Sequence, residues 1–173
     1  MKRKIVIGVL VFVGVLVALV LTVCVGGAML PADHVASGSA TLAAPPQAVY
    51  DAIADFEGQT SWNKAVSKVE KLPDHEGHAV WKELTGFGPI KIERLKLDPA
   101  TKTIVHQIAD PDLPFGGTWT YEIAADGANT KLTITENGTV KSAPFRFLSR
   151  YVFGYTATID AYLKALAGKF GAK

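Results

Sequence analysis

The sequence contains few of the residues that mark redox, metal or nucleophilic chemistry. Its one cysteine, Cys24, lies inside an apolar run, so the rest of the chain has no disulfide and no thiol nucleophile. His75 and His78 lie close together without further ligands beside them, and we predict no metal site and no cofactor. The GxSxG, HExxH, GxGxxG and phosphate-loop motifs are also missing, so we assign no catalytic residue.

Positive charge is concentrated at the amino end of the chain. Lys2, Arg3 and Lys4 are the only charged residues among the first thirty. With these three set aside, the formal net charge of +2 becomes −1. A nearly neutral domain lacks the basic surface that nucleic-acid binding requires, so we expect no nucleic-acid partner. The sequence leaves the oligomeric state open.

An uninterrupted apolar run follows these cations. The segment Ile5–Leu30 contains no charge and consists mostly of Val, Leu and Ile. It exceeds the about 20 residues that a membrane helix needs, and we predict a transmembrane anchor over it. The cations precede this helix and Asp33 follows it, so the positive-inside tendency predicts that residues 1–4 lie in the cytoplasm.

The predicted anchor separates the amino terminus from one folded domain. Residues 31–33 are a linker, and residues 34–173 form a domain on the extracytoplasmic, periplasmic side of the membrane. A cleaved signal peptide is an alternative, because Gly26, Gly27 and Ala28 are small enough to precede a cleavage site. A lipoprotein signal ending at Cys24 is another alternative, although the bulky Val23 departs from that pattern.

Hydrophobic periodicity predicts a mixture of strands and helices after the linker. A strand over His34–Ala43 is followed by a short amphipathic helix over Gln47–Asp55 and a further turn over residues 60–64. Alternating residues then predict six strands, namely Val66–Leu72, Ala79–Leu84, Ile90–Leu97, Thr103–Ala109, Thr118–Ala125 and Thr130–Lys141. Short turns such as Pro73-Asp74 favour antiparallel hairpins and leave no room for parallel crossovers.

Apolar residues return to helical spacing after Pro144. The stripe from Leu148 to Phe170 predicts one long helix, with Gly154 as a weak point where a kink is tolerated. This helix is the only predicted element large enough to cover one face of the sheet. The predicted fold class is therefore α+β, with a curved antiparallel sheet wrapped around the C-terminal helix.

Several segments of the domain match a known family in their order and spacing. They are Ala44–Tyr50, Asp55-Phe56 followed by Trp62, Leu97–Pro99, Thr118–Glu122 and Leu132–Glu136. With the terminal helix, they make the chain from His34 to Phe170 resemble the polyketide cyclase/dehydrase and lipid-transport branch of the START-like (Bet v 1-like, SRPBCC) superfamily. The resemblance implies a helix-grip fold with a deep hydrophobic cavity for lipids, polyketides, sterols or aromatic metabolites, and it does not fix one chemistry.

The last predicted hairpin supplies the first pocket candidates. A regular pairing places Tyr121 opposite Ile134 and Trp119 opposite Glu136. If that face is concave, these residues line the cavity, and the loop of residues 110–117, stiffened by prolines, forms its rim. The alternative is that both aromatic side chains are ordinary core residues.

Further candidates come from the other strands and the terminal helix. The additional pocket candidates are Trp62, Trp81, Glu83, His106, Tyr151 and Tyr155. His106 shares a strand face with Ile104 and Ile108, and a neutral imidazole there would orient a carbonyl or move a proton. A hydrogen-bonded or exposed histidine is the alternative. We also consider a pair between Glu136 and Arg150.

Three functions fit these features. The preferred one is membrane-tethered binding or transport of a hydrophobic small molecule or lipid, because a tether raises the local concentration of membrane-soluble ligands. The second is a cyclase- or dehydratase-type enzyme acting on a polyketide-like or aromatic substrate, with His106 or a glutamate as acid or base. The third is a non-catalytic envelope interaction module whose cavity is filled by side chains.

Overall fold

The computed structural model describes residues 2–171, which form one long N-terminal helix and an α+β domain. The helices are α1 (Lys2–Ala28), α2 (Pro46–Ala54), α3 (Ala143–Leu148) and α4 (Ala157–Phe170), with a 3-10 turn at Gly58–Ser61 and a π turn at Ser149–Phe153. The strands are β1 (Asp33–Leu42), β2 (Val66–His75), β3 (His78–Thr85), β4 (Gly88–Asp98), β5 (Thr103–Ile108), β6 (Phe115–Asp126) and β7 (Asn129–Val140).

All seven strands form one antiparallel sheet in the order β1-β7-β6-β5-β4-β3-β2. Hairpins join the consecutive strands from β2 to β7, and β1, the first strand in the chain, pairs with the last strand, β7. The sheet curves around the C-terminal helix, which confirms the predicted α+β, helix-grip architecture. One face of the sheet is covered by α2 and α4, and this face carries the core.

The main core lies beneath α4 on the β1, β7 and β6 side of the sheet. On α4, Ile159, Leu163 and Leu166 repeat at helical spacing and are buried against the sheet. Helix α4 approaches β1 closely at Gly38, where an added Cβ would lie 2.8 Å from Cγ2 of Ile159. A smaller core, built from Phe56, Trp81, Ile90 and Ile92, lies at the β3–β4 side.

Helix α1 is compatible with either a membrane anchor or a signal sequence. The most apolar 18-residue stretch of its segment Arg3–Ala28 has a mean hydropathy of 3.2, and none of that stretch is buried in the protein. Only its last turns contact the domain, where α1 packs against α3. An added Cβ at Gly27 would overlap the carbonyl oxygen of Ala143, so the two helices approach closely at this glycine.

The long terminal helix predicted over residues 148–170 is interrupted. The π turn ends at Phe153, Gly154 adopts a φ of 80°, and α4 begins only at Ala157. Glycine accepts this positive φ because it has no Cβ. The segment before the break packs on α1 and β7, not across the sheet. The prediction that Tyr151 belongs to the buried stripe is therefore wrong, and its side chain is 64% exposed.

The turn predicted at Pro73-Asp74 is also wrong. Strand β2 continues to His75, and the hairpin turns at Glu76 and Gly77, whose φ angles are 49° and 84°. Because β2 is an edge strand, the missing N–H of Pro73 leaves no gap in an interior ladder. A register shift between Leu72 and His75 accommodates the proline.

The predicted register of the last hairpin is confirmed. Tyr121 pairs with Ile134, and Trp119 pairs with Glu136. The β4–β5 register, which the sequence left open, pairs Leu97 with Ile104 beyond a bulge between Arg94 and Lys96.

Gly117, at the start of β6, offers a test of this register. Its φ is 130°, it pairs with Gly138, and an added Cβ would overlap the carbonyl oxygen of Asn137. We expect Gly117→Ala to lower the free energy of unfolding by about 2 kcal/mol or more, because it combines backbone strain with overlap.

The neighbouring Gly116→Ala is the matched control, since open space surrounds that position. It should change the free energy by less than about 0.5 kcal/mol. Denaturant unfolding of the full chain in mild detergent measures both variants, and equal losses would contradict the close approach at Gly117.

Candidate functional site

An aromatic cluster centred on Tyr162 of α4 occupies the covered face of the sheet. The ring centroids of Trp62, Trp119 and Tyr121 lie 5.3, 5.7 and 5.6 Å from that of Tyr162. Edge-on and tilted contacts of this kind are favourable between aromatic rings. The structure therefore brings together three of the predicted pocket residues. Tyr162 was expected to belong to the helix stripe but not to the pocket.

A buried carboxyl group lies beside this cluster. Oε2 of Glu83 accepts a hydrogen bond of 3.4 Å from Nε2 of Gln59, a side chain that is only 4% exposed. Burial raises the pKa of Glu83 to about 7, and the hydrogen bond from Gln59 opposes that rise. The carboxyl group is therefore close to half-protonated at neutral pH and can both donate and accept a proton.

Two buried hydroxyl groups accompany that carboxyl. Burial, together with the nearby charge of Glu83, raises the pKa values of Tyr121 and Tyr162. Both phenols remain protonated at neutral pH, and their hydroxyl groups hydrogen-bond each other. Glu83, Tyr121 and Tyr162 thus combine three polar groups with the apolar ring faces of the cluster.

The second carboxylate, Glu136, joins two aromatic side chains at the other side of the cluster. The indole Nε1 of Trp119 donates to Oε2 of Glu136 at 2.8 Å, and Nε2 of His34 lies 3.3 Å from Oε1. The His34 ring in turn stacks on Tyr155 with centroids 4.2 Å apart. His34 belongs to β1, in agreement with the strand predicted over His34–Ala43. Protein side chains therefore fill the space predicted as cavity between Trp119 and Tyr155.

His106 faces inward but is protected from protonation. Its ring is 5% exposed and packs edge-on against Phe56 and Tyr121 at 5.0 and 5.3 Å. Nε of Arg94 donates to Nε2 of His106 at 3.4 Å. Burial, and secondarily the charge of Arg94, lowers the pKa of His106 to about 3. This histidine stays neutral under physiological conditions, which makes it a poor proton carrier near neutral pH.

Two other candidates lie away from the cluster. Trp81 belongs to the smaller core, where it packs on Phe56 at 4.9 Å and its Nε1 donates to Glu57 at 3.2 Å. Tyr151 lies on the surface against Phe147, with centroids 4.9 Å apart.

The pair expected between Glu136 and Arg150 is not among the contacts of the described residues. The guanidinium of Arg150 instead lies 5.8 Å from the centroid of Tyr155. Glu136 is engaged by Trp119 and His34, as described above.

One side of the aromatic cluster is partly exposed. Helix α4 packs mainly against β1, and its Tyr162 side chain reaches Trp119 and Tyr121 of β6. Glu83, Trp119 and Phe115 accordingly keep partial exposure. The loop between β5 and β6 borders this region, and its end is fixed by a 2.8 Å hydrogen bond from the backbone N–H of Lys141 to the carbonyl of Pro114.

Two shallow clefts lie on the other side of Trp62. One, of about 510 Å³, lies between α2, the 3-10 turn and the end of α4. The other, of about 610 Å³, lies between the segment after that turn and the outer face of α4. Both are wide open, and lysines and small residues line much of their walls. The aromatic cluster combines ring faces with the largely buried polar groups of Glu83, Tyr121 and Tyr162, so we take it as the candidate site.

Comparison with known proteins agrees with this architecture. Residues 33–170 match the sequence profile of the family described as polyketide cyclase/dehydrase and lipid transport. None of the curated protein sequences matches the chain significantly.

Several solved structures share the fold. Zhui aromatase/cyclase from Streptomyces sp. R1128 has a TM-score of 0.66 and 20% identity, over 79% of this chain and 93% of that one. A START superfamily protein from Mycobacterium smegmatis has a TM-score of 0.61 and 18% identity, over 79% and 97%. A point mutant of norcoclaurine synthase from Thalictrum flavum has a TM-score of 0.62 and 13% identity, over 79% and 93%. At these identities the likeness establishes the fold alone.

Titration of Glu83 makes stability depend on pH. The pKa of its carboxyl is about 7 in the folded chain and 4.5 as the ordinary value, so the folded state retains the proton longer. The resulting stabilisation is present below pH 4.5 and is lost as the pH rises through 7. Between pH 5 and 8, wild type should lose about 2 kcal/mol relative to Glu83→Gln, which has no such titration.

Denaturant unfolding of both chains across this pH range measures the difference. Subtracting the two curves removes the contributions of other titrating groups, His106 included. Parallel curves for wild type and Glu83→Gln would contradict a buried, protonated carboxyl at this position.

Proposed function

The chain belongs to the polyketide cyclase/dehydrase and lipid-transport family, and on this basis we propose that it binds a hydrophobic small molecule or lipid while α1 tethers it to a membrane. The family suggests a hydrophobic ligand-binding or cyclase/dehydrase-like domain. The observation that carries the proposal is the partly open aromatic cluster of Trp62, Trp119, Tyr121 and Tyr162 beside the protonatable Glu83.

The chemistry of the cluster indicates the kind of ligand. Covering about 300 Å² of apolar ligand surface contributes about 7 kcal/mol before the costs of binding are subtracted. Glu83 and the two tyrosine hydroxyls can hydrogen-bond a hydroxyl or carbonyl group, and they fix its orientation. A ligand with a flat, apolar body and one such polar group fits best.

The proposed tether follows from α1. A helix with a mean hydropathy of 3.2 over a membrane-spanning length favours the bilayer, and the cations Lys2, Arg3 and Lys4 favour a cytoplasmic amino terminus. The binding domain then lies on the extracytoplasmic, periplasmic side. A tethered site experiences a high local concentration of membrane-soluble molecules.

Mass spectrometry of the full chain, extracted with mild detergent, tests the binding proposal. Wild type should retain an apolar molecule, and Trp119→Ala should retain about tenfold less because it removes one aromatic wall. Leu97→Ala is the control, since Leu97 is exposed at the far end of β4 and both variants keep the same anchor.

Equal retention by Trp119→Ala and wild type would place the molecule elsewhere, for example around α1. A wild-type chain that retains no apolar molecule would contradict binding. In that case a stable protein partner recovered with the chain would support the non-catalytic interaction module.

Acid–base catalysis on the bound molecule is a second candidate function. It is favoured by one observation, the raised pKa of about 7 for Glu83 beside the hydroxyls of Tyr121 and Tyr162. A group with a pKa near the working pH is suited to proton transfer. Two of the similar structures are enzymes by name, an aromatase/cyclase and norcoclaurine synthase.

A dehydration would leave a mass signature. If Glu83 protonates a leaving hydroxyl and its carboxylate then takes a proton from the neighbouring carbon, water leaves and a C=C bond forms. Glu83→Gln should in that case retain a molecule heavier by one water than the molecule that wild type retains. Tyr151→Phe, altered at an exposed ring, is the control and should match wild type. Identical masses in all three chains would favour binding without dehydration.

A further inference from the structure

The topology brings α1, α3 and the π turn to one end of the sheet. Because neighbouring strands are antiparallel, β1 begins where β7 ends, as the pairing of Asp33 with Thr139 shows. At this same end β6 and β4 begin, and β5 and β3 finish. We call it the anchor end, since α1 enters the domain there.

Exposed apolar side chains accumulate at the anchor end. Outside α1, the large exposed apolar residues at this end are Met29, Val35, Leu84, Phe87, Phe145, Tyr151, Val152 and Phe153. Leu97, by contrast, lies at the opposite end. Single exposed apolar residues are ordinary on a protein surface, whereas a cluster of this kind marks an interaction surface.

The segment that carries most of this surface is fixed to α1. Phe147 of α3 lies so close to Gly26 that an added Cβ there would be 2.9 Å from its Cδ2. The guanidinium of Arg146 donates to the carbonyl of Leu30, just beyond α1, at 3.0 Å and to the carbonyl of Val140 at 3.0 Å. The depth of α1 in a membrane therefore determines the depth of this segment.

The length of α1 determines that depth. A span of about 20 residues crosses the hydrocarbon core at about 1.5 Å per residue, so a span that begins at Ile5 ends near Cys24. The contact of Gly26 and Gly27 with α3 then lies at the level of the lipid headgroups. Aromatic side chains are favoured at this level, where one part of the ring meets acyl chains and another meets water.

We propose that Phe145, Tyr151, Val152 and Phe153 form a patch that inserts into the same leaflet from which α1 emerges. Their side chains are 46%, 64%, 61% and 60% exposed. The exposed Arg150 beside them is suited to a lipid phosphate. This inference rests on the proposed tether and adds a second membrane contact to it.

The patch gives the candidate site an orientation. Glu83 lies near the end of β3 and Trp119 near the start of β6, so both lie toward the anchor end. The partly exposed side chains Glu83 and Trp119 are thus turned toward the membrane when the patch is inserted. An apolar molecule then passes between leaflet and site without crossing bulk water.

Depth-dependent quenching on the full chain tests the patch. In a Cys24→Ser background, an environment-sensitive fluorophore is attached to Val152→Cys or Phe153→Cys. Ala128→Cys, in the exposed turn between β6 and β7 at the opposite end, is the matched control. In phosphatidylcholine–phosphatidylglycerol vesicles with nitroxide-bearing lipids, emission at 152 and 153 should fall about twofold, and emission at 128 should not change.

The outcomes separate the patch from the tether and from ligand binding. A chain released from the vesicles by an alkaline wash would overturn tether and patch together. A retained chain whose labels at 152 and 153 behave like the label at 128 would overturn the patch alone. Neither result depends on a bound ligand, which mass spectrometry of the unlabelled chain measures separately.

Discussion

The break in the terminal helix at Gly154 is the constraint on which the rest of the structure depends. The positive φ of Gly154 divides the segment, so that α4 packs against β1 and places Tyr162 on Trp119 and Tyr121, while α3 packs against α1. One conformational feature thus separates the helix that completes the aromatic cluster from the segment that leaves a set of apolar side chains exposed at the anchor end.

Burial of polar groups in the candidate site lowers the stability of the folded chain. A carboxyl group with a pKa raised to about 7 reports that its charged form is disfavoured by burial, and an apolar residue of similar size would avoid that cost. Groups with strongly shifted pKa values concentrate at functional sites, although ion-pair networks within a fold also contain such groups. Both oxygens of Glu136 are engaged, one by the indole of Trp119 and the other by His34. We therefore regard Glu83 as the carboxyl group better suited to proton transfer. Glu136 instead holds the indole ring of Trp119 in place.

Local patterns in the sequence predicted the sheet well and the site only in part. The alternation of apolar and polar residues on both sides of the last hairpin turn fixed the β6–β7 register, and with it the pairing of Trp119 with Glu136. Pro73 suggested a turn because the position of β2 at the sheet edge is not visible in local sequence. Helical spacing predicted a continuous helix because periodicity does not report the φ of a glycine. Local sequence also did not predict that Gln59, His34 and Tyr162 belong to the site. Their partners Glu83, Glu136 and Trp119 are distant in the chain, so no local pattern reports these contacts.

An open site is sufficient for a tethered protein in a way that it is not for a freely diffusing carrier. A carrier that crosses water must enclose its ligand, because apolar surface left exposed forfeits the free energy of transfer in proportion to its area. A site held at the headgroup level receives its ligand from a leaflet where that ligand is concentrated, so moderate affinity gives high occupancy. The filled space between Trp119 and Tyr155 is then compatible with ligand binding, because the ligand needs contact with the open ring faces and not a closed chamber. In the proposed arrangement, anchor, patch and aromatic cluster therefore depend on one another.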